Sequence, residues 1–416
     1  MNGGRATPPG GWTIYAVRFL TYSTWGVLYP FFTVWLLDQK LFSAADCGLI
    51  TGAAVLANRL GSLAFVRVLP PGRERSAIIG SQIAMAAAAG LLCAMVSTEV
   101  ASLLAWMLVS AAFGLAGSLA TLAQLTLIVH QFGPEETRRA FSYENVALNA
   151  AGGLAPFVSS LAYAATGRFY VLAPIGFAVL AGVLATRLAT GRVPVRRPAA
   201  KGSEPGILPP GMPVLLGVNF LTHITYAQFY GVFAAYATSS LGARDVGLLF
   251  AFASVAIVVT QSWVTRLCRD RGEPVIIVTA NLALGAGTAL LVAPGGGMAL
   301  MLCAVLAITV GEMLYGPVYQ TLAVAVAGGR TSLAVGALTF VWGLAESLAV
   351  AAGLWLIGAG LGPVTFLLGA AAAVAAVVIV AVFHRRFAAM AASATADSAE
   401  ASGAVSAVRP TADSTS

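Results

Sequence analysis

Charged residues are scarce in this sequence. Only 9% of its 416 residues are Asp, Glu, Lys or Arg, whereas 59% are apolar. A soluble domain carries roughly 25% charged residues. So few charges cannot cover the surface of a water-soluble protein of this length, which excludes a soluble fold and indicates that membrane lipids surround most of the chain.

Cysteine and histidine are also rare, with four and three copies respectively. The cysteines lie far apart in or beside apolar segments, and no two histidines are close in sequence, so neither type has the spacing of metal ligands. The sequence contains no Walker-type phosphate-binding loop, no His-Glu-x-x-His and no Gly-x-Ser-x-Gly motif. We therefore predict no metal site, no cofactor and no enzymatic activity.

Apolar runs of about 20 residues, the length that crosses a bilayer, recur along the whole chain. We predict an all-α membrane protein with twelve transmembrane helices at 12–37, 46–69, 76–97, 100–129, 138–165, 169–188, 211–239, 246–267, 274–293, 298–326, 332–357 and 363–384. Proline and basic residues at 189–210 predict a cytoplasmic linker between two six-helix bundles, 12–188 and 211–384. Residues 1–11 are predicted to be a cytoplasmic N-terminus, and the Ala/Ser/Thr-rich residues 385–416 a disordered cytoplasmic tail.

Basic residues are distributed unevenly between the predicted loops. With a cytoplasmic N-terminus, 18 of the 23 basic residues lie in cytoplasmic segments, and those on the outer side are Lys40, Arg168 and Arg244. This asymmetry follows the positive-inside rule and places both termini in the cytoplasm. It also accounts for the net charge of +7 without a nucleic-acid partner. Lysine is rare beside abundant Ala, Gly and Arg, which indicates a high-GC bacterial genome and therefore a bacterial plasma membrane. We also expect the protein to be a monomer.

The first and seventh spans share a sequence pattern. Phe19, Leu20, Thr21, Thr24 and Tyr29 all recur at an offset of 201 residues, about half the chain. A repeat of this length predicts two similar halves related by an axis along the membrane normal. In transporters with this layout, the substrate site lies between the halves near the midplane of the bilayer.

Three stretches resemble motifs of a known transporter family. They are Arg18-Phe-Leu followed by Pro30, Gly311-Glu312-Met-Leu-Tyr-Gly-Pro317, and the fifth-span segment from Asn145 to Ser160, which has small residues in place of glycines. Because these motifs occur in order along the twelve predicted spans, the chain resembles the major facilitator superfamily over nearly its full length. The motifs themselves are most similar to those of the drug:proton antiporter branch. The resemblance implies alternating access between two bundles and a central cavity lined by spans one, four, seven and ten.

Five ionisable residues fall within the predicted spans: Arg18, Arg59, Glu144, Glu312 and Glu346. Each costs at least about 2.5 kcal/mol near the bilayer centre, so each is a functional candidate. Two cations and three anions allow two ion pairs and leave one carboxylate that can take up a proton, because burial disfavours the charged form. We predict that Glu312, Glu144 and Glu346 share a pocket between the halves and act in proton coupling, with Glu312 the first candidate. A gate contact is an alternative for Glu144, and a structural role is favoured for Arg59.

Helical spacing aligns polar and aromatic side chains into faces that could bind a substrate. The predicted substrate-binding residues are Arg18, Tyr22, Trp25, Gln124, Asn219, His223, Tyr226, Tyr315, Tyr319 and Trp342. Tyr29 and Tyr230 continue two of these faces, and for them packing is an equal alternative. An aromatic cavity suits an apolar or amphipathic compound. Arg18, as a cation in the cavity, would favour a substrate that bears a carboxylate or phenolate group.

These patterns predict a secondary active transporter. The leading hypothesis is proton-coupled efflux of a small apolar or amphipathic compound, such as a drug or secondary metabolite, by alternating access. Proton-coupled or facilitated uptake of a small organic solute requires the same fold and stays an alternative. A non-transporting membrane sensor or partner-binding protein is the alternative from another class, and the short loops disfavour it.

Overall fold

The structure is a computed structural model that describes residues 11–65, 68–70, 72–132, 134–189, 209, 211–268, 271–326 and 331–390. These residues form α-helices, short 3₁₀ turns and one π-helical segment, and no β-strand occurs among them. Nearly all of the predicted N-terminal segment 1–11, most of the predicted linker 189–210 and the predicted tail beyond residue 390 lie outside the described residues.

Six helices form the first half of the chain. They are α1 (Thr13–Asp38), α2 (Ala44–Phe65), α3 (Glu74–Ser97), α4 (Leu103–Gln131), α5 (Pro134–Thr166) and α6 (Ala173–Ala185), with a 3₁₀ turn at Gly167–Leu172 before α6. Helix α1 packs against α5 and α6, and α3 packs against α4 and α6. Because the spans are predominantly apolar, each satisfies its backbone hydrogen bonds within its own helix, as lipid requires.

The second half repeats this arrangement. Helix α7 (Met212–Ala227), the π-helical segment Gln228–Phe233 and α8 (Ala234–Leu241) follow one another without a break and form the seventh span. The eighth to twelfth spans are α9 (Ala243–Leu267), α10 (Glu273–Leu290), α11 (Met298–Val326), α12 (Thr331–Gly358) and α13 (Gly362–Val382). Helix α7 packs against α12 and α13, and α10 packs against α11 and α13, which matches the pairing in the first half.

The predicted spans agree with these helices, and no end differs by more than four residues. Within the described ranges, nine stretches are long and apolar enough to cross a membrane, and one of them, Arg139–Ala185, covers both α5 and α6. The nine stretches therefore hold ten of the twelve spans. The other two are α1 and the interrupted seventh span, which carry the polar and aromatic faces noted in the sequence.

The chain beyond α13 differs from the prediction. Residues 384–390 are helical, so the predicted disordered tail does not begin at residue 385. The reason is apolar burial: Phe387 is fully buried, and Met390 is buried beside Gly211, at the start of α7. The basic pair Arg385–Arg386 ends the apolar run in the sequence. The side chains of Phe387 and Met390, which follow this pair, nevertheless keep the segment packed on the bundle.

Two helix pairs hold the halves together: α2 with α12, and α5 with α9. Between α5 and α9, a Cβ atom added to Gly153 would lie 2.7 Å from the Ser254 Cβ, and the Ser254 hydroxyl donates to the Gly152 carbonyl at 3.1 Å. Between α2 and α12, the Ser347 hydroxyl donates to the Gly52 carbonyl at 3.0 Å. Small residues and hydroxyl groups are typical of close helix contacts in membranes.

The contact between α2 and α4 can be tested at Gly114. A Cβ atom there would overlap the Ala54 carbonyl oxygen, and the Asn58 side-chain amide donates to the Gly114 carbonyl at 3.2 Å. Gly114→Ala is expected to destabilise the protein by about 1–3 kcal/mol, because the added methyl group forces the helices apart. Gly90→Ala is the control, since nothing lies within 4 Å of its added Cβ. Apparent melting temperatures in detergent measure the difference, and equal values for the two variants would contradict this contact.

Candidate functional site

Two adjoining cavities lie between the halves. The larger, of about 550 Å³, is lined by α5, α7, α9, α11 and α12. The smaller, of about 230 Å³, is lined in addition by α1, α2 and the π-helical segment. Five residues line both cavities and form the boundary between them: Asn149, Tyr226, Ile257, Glu312 and Trp342.

The larger cavity extends toward one end of the molecule. Its lining runs from the exposed residues Asn145 and Gln320 to the half-buried Glu312. Asn145 lies in the first half of α5 and Gln320 near the end of α11, and the predicted topology places both on the cytoplasmic side. Toward the opposite end the halves touch, and a Cβ atom added to Gly247 of α9 would overlap the Ser160 hydroxyl of α5. The bundles are therefore closed at the end that is predicted to face outward.

Glu312 on α11 lies at the boundary of the two cavities. Tyr226 donates a hydrogen bond to its Oε1 at 3.2 Å, and Tyr230 donates one to its Oε2 at 3.0 Å. Among the described residues, no nitrogen of Lys, Arg or His lies within 4.0 Å of this carboxylate. Two neutral donors offset the burial of a negative charge less well than a cation does, so protonation of Glu312 would remove an uncompensated charge.

Glu346 on α12 is paired with a cation from the other half. Arg59 Nη2 on α2 lies 3.3 Å from Oε2, and Tyr29 on α1 donates to Oε1 at 3.0 Å. The Arg59 guanidinium also lies 3.6 Å from the centroid of the Trp342 ring. This cluster lines the smaller cavity and joins the two halves, so Arg59 makes the structural link that was favoured for it.

Arg18 and Glu144 form a second ion pair, which lies within the first half. Arg18 Nε lies 2.6 Å from Glu144 Oε1, and Arg18 Nη1 donates to the Thr121 hydroxyl on α4 at 3.0 Å. The two side chains are 7% and 10% exposed, and neither residue lines either cavity. The structure therefore does not bring Glu144 into the pocket of the other two carboxylates, because Arg18 neutralises it between α1 and α5.

Helix α4 provides no lining residue of either cavity, contrary to what the family resemblance implies. Gln124, predicted to bind substrate, is buried inside the first half, where its side-chain amide donates to the Thr21 hydroxyl at 2.7 Å. Gln82 on α3 donates to the same hydroxyl at 3.0 Å. The physical reason is the close approach of α4 to α2 at Gly114, which covers the polar face of α4 with neighbouring helices.

Most predicted aromatic and polar residues do reach the cavities. Tyr22 and Trp25 line the smaller one; Asn219, His223, Tyr315 and Tyr319 line the larger one; Tyr226 and Trp342 line both. The His223 ring lies in this cluster, with its centroid 4.7 Å from that of Trp342 and 5.3 Å from that of Tyr315. Its Nδ1 donates to the Asn219 carbonyl at 2.8 Å, and this bond fixes the orientation of the ring.

The π-helical segment Gln228–Phe233 was not predicted. It interrupts the seventh span at Tyr230, which donates to Glu312 and also lines the smaller cavity. Such π-helical turns are frequent at functional sites. The spacing of Tyr226 and Tyr230 singled out Tyr230 in the sequence, but no residue pattern indicated the change of helix type. Asn145 and Asn149 were also missed as lining residues, although both lie in the fifth-span motif.

Neither cavity contains a recognisable metal site. Within the described ranges, no three His, Cys, Asp or Glu side chains are close enough together to hold a metal ion. The two cavity carboxylates, Glu312 and Glu346, instead accept hydrogen bonds from phenol groups.

Comparison with known proteins gives a family match and several similar folds. The sequence profile of the Major Facilitator Superfamily matches residues 14–350. The structure is similar to a POT family transporter in complex with 5-aminolevulinic acid, with 11% identity, a TM-score of 0.73, and coverage of 92% of this chain and 99% of that chain. It is also similar to a peptide transporter POT, with 14% identity, a TM-score of 0.73, and coverage of 94% of this chain and 97% of that chain. For the nucleoside transporter NupG the identity is 13%, the TM-score is 0.69, and the coverage is 91% of this chain and 98% of that chain. No curated protein matches the sequence.

The placement of Arg18 can be tested by removing its charge. Arg18→Gln leaves the Glu144 carboxylate buried without a cation, which is expected to cost about 3–5 kcal/mol of stability. Adding Glu144→Gln should restore most of the stability, because no buried charge then remains. Arg244→Gln, at an exposed position in the first turn of α9, is the neutral control for apparent melting temperature. A double variant that is no more stable than Arg18→Gln would contradict the ion pair.

Proposed function

The chain belongs to the Major Facilitator Superfamily and is a multi-pass membrane transporter, and we propose that it is a proton-coupled carrier in which Glu312 binds the proton. The observation that carries this proposal is the position of Glu312: a carboxylate at the junction of two cavities, without a cation beside it among the described residues. Such a group can exchange a proton with water in the larger cavity.

The hydrogen bonds around Glu312 suit this role. Tyr226 and Tyr230 both belong to the seventh span, whereas Glu312 belongs to α11. A charged carboxylate accepts both phenol hydrogens strongly, and a protonated one accepts them weakly. Protonation therefore loosens the contact between the seventh span and α11, and a change in local packing is what a transport cycle must couple to its proton.

The interface between the halves supports alternating access. The segment from Asn145 to Ser160, which resembles the antiporter motif, includes Gly153, in close contact with Ser254 of α9, and Ser160, which lies against Gly247. These contacts must separate if the cavity is to open at its closed end. The position of the motif at a contact that opens and closes supports a role in coupling substrate movement to the conformational change.

We propose export of a small apolar or amphipathic compound as the direction of transport. The aromatic lining of both cavities and the resemblance of the fifth-span segment to the antiporter motif support this direction. Uptake of a small organic solute is the second candidate, and the similarity of the fold to peptide and nucleoside transporters favours it. The same carboxylate would serve either direction.

Glu312→Gln tests the coupling role. The amide keeps the size of the side chain but cannot carry the proton, so uphill transport is expected to fall to the level of empty vesicles while the protein stays folded in the membrane. The measurement is the recovery of fluorescence of a pH-sensitive dye in everted vesicles, when compounds from a panel of amphipathic drugs are added. Glu99→Gln, at an exposed loop position, is the matched control and should keep full activity. Uphill transport by Glu312→Gln would rule out this coupling site.

The direction is tested separately with an imposed gradient. An acidic interior in everted vesicles is expected to drive accumulation of the compounds inside, because each entering molecule would exchange for an outgoing proton. Accumulation only when the exterior is the acidic side would instead assign proton-coupled uptake. The same vesicles carrying Glu312→Gln should accumulate nothing in either gradient.

A further inference from the structure

The charged groups of the two cavities do not balance. Among the described residues that line them, the charged side chains are Glu312, Glu346 and Arg59. Arg59 and Glu346 form an ion pair, which leaves the carboxylate of Glu312. This described part of the lining therefore carries one net negative charge whenever Glu312 is ionised, and this charge favours a positive ligand.

Aromatic rings surround the same carboxylate. Tyr226 and Tyr230 contact it through their hydroxyl groups, and their ring centroids lie 4.7 Å apart. The Tyr315 centroid lies 6.0 Å from that of Tyr226. Trp342 lines both cavities and already holds a cation, the Arg59 guanidinium, 3.6 Å from its ring centroid. A carboxylate in an aromatic lining is the type of site that binds ammonium groups, because the carboxylate supplies the opposite charge and the rings can add cation–π contacts.

We infer that the transported compound is an organic monocation, bound through Glu312 and the rings of Tyr226, Tyr230 and Tyr315. This inference rests on the proposed function of Glu312 as the proton carrier, because the cation and the proton would then occupy the same carboxylate in turn. Binding of the cation releases the proton, and protonation releases the cation, so the exchange needs no second coupling site.

An anionic compound fits this site poorly. Among the described residues, the cations within the spans that could attract it are already paired, Arg18 with Glu144 in the first half and Arg59 with Glu346 in the smaller cavity. An anion in either cavity would also lie near the unpaired Glu312 carboxylate. The expectation that Arg18 selects a carboxylate or phenolate therefore has no support from its position. The cavity volume of about 550 Å³ is within the range of small-molecule sites.

Other titratable groups face Glu312 and must be separated from it in any pH measurement. Among the described residues that line the two cavities, these are Tyr226, Tyr230 and His223 of the seventh span, Tyr315 and Tyr319 of its own helix, Tyr22 and Tyr29 of α1, Arg59 of α2 and Glu346 of α12. Helix α9 lines the cavities with residues that do not titrate, and α10 lines neither cavity. His223 is the one further group here with an ordinary pKa near neutrality, about 6.5, so it needs a variant of its own.

Three probes of the same shape and different charge test the inference with purified full-length protein in lipid nanodiscs. They are phenyltrimethylammonium, the neutral tert-butylbenzene and the anionic phenyltrifluoroborate, and binding is measured by calorimetry. The cation is expected to bind at least about tenfold more tightly than the neutral probe. Because phenyltrimethylammonium has a permanent charge, its affinity should depend on pH only through the protein. Below the midpoint of Glu312 protonation it should fall about tenfold for each pH unit, which is the slope for exchange with one proton. Equal affinities for cation and neutral probe, tightest binding of the anion, or no saturable binding of the cation would overturn the inference.

Variants assign the effect to particular side chains. Glu312→Gln should lose both the preference for the cation and its pH dependence while binding the neutral probe as before, and Glu99→Gln should behave as the unmodified protein. His223→Gln should keep the pH dependence. Tyr315→Leu should lower the affinity for the cation more than the affinity for the neutral probe. Tyr315→Phe, which retains the ring, should preserve both affinities. A cation preference that survives Glu312→Gln would contradict the site.

Infrared spectroscopy separates failure of this inference from failure of the proposed function. A protonated carboxyl band that appears on acidification and is absent in Glu312→Gln reports proton binding directly, without any organic probe. If this band is present and the cation does not displace the proton, the organic cation is the wrong substrate class and the coupling role stands. If the band is absent and the cation still binds through Glu312, the substrate class stands and the coupling role fails.

Discussion

The pairing of charges in the apolar interior constrains the rest of this structure. Arg18 is neutralised by Glu144 and Arg59 by Glu346, and removing one partner of such a pair leaves a charge that the membrane interior disfavours. The first pair fixes α1 against α5, and the second fixes α2 against α12 across the two halves. Glu312 accepts hydrogen bonds from two phenol groups, and no described cation lies beside it. The cations of the other two pairs serve helix packing, which is why we propose Glu312 as the carboxylate that binds an exchangeable ion.

Much of the fold could be predicted from the sequence because lipid forces a simple solution. Each span must satisfy its own backbone hydrogen bonds, so an apolar run of sufficient length is a helix. The boundary at residue 385 failed because its basis was hydropathy, whereas the burial of Phe387 and Met390 depends on contacts with the distant start of α7. Long-range packing of this kind leaves no local pattern.

The candidate site could be predicted only in part, for a related reason. Counting two cations and three anions in the spans predicts that one carboxylate stays unpaired, but not which one. The choice depends on lateral packing: α1 lies against α5, so Arg18 meets Glu144. Periodicity likewise placed Gln124 on a polar face of α4, yet it could not tell that this face turns into the first half. The direction of a face is set by neighbouring helices, and the sequence of one helix does not contain it.

The two halves use one ancestral pattern for different purposes. The first and seventh spans carry polar and aromatic groups at matching positions, namely Arg18, Tyr22, Trp25 and Tyr29 against Asn219, His223, Tyr226 and Tyr230. In the first half the leading residue is a cation, which Glu144 binds. In the second half the residue at the corresponding position is Asn219, a neutral amide. The seventh span therefore places no cation at this position near Glu312.

This divergence explains why the chemistry lies on one side of the pseudo-symmetry axis. The first half supplies Arg59 and Tyr29, which contact Glu346 of the second half, whereas the second half supplies the carboxylate and most of the rings around it. In the proposed alternating-access cycle, movement of the halves would separate the Arg59–Glu346 pair and would leave Glu312, Tyr226 and Tyr230 together in one bundle. A ligand held mainly by that bundle could then stay bound while the other bundle moves.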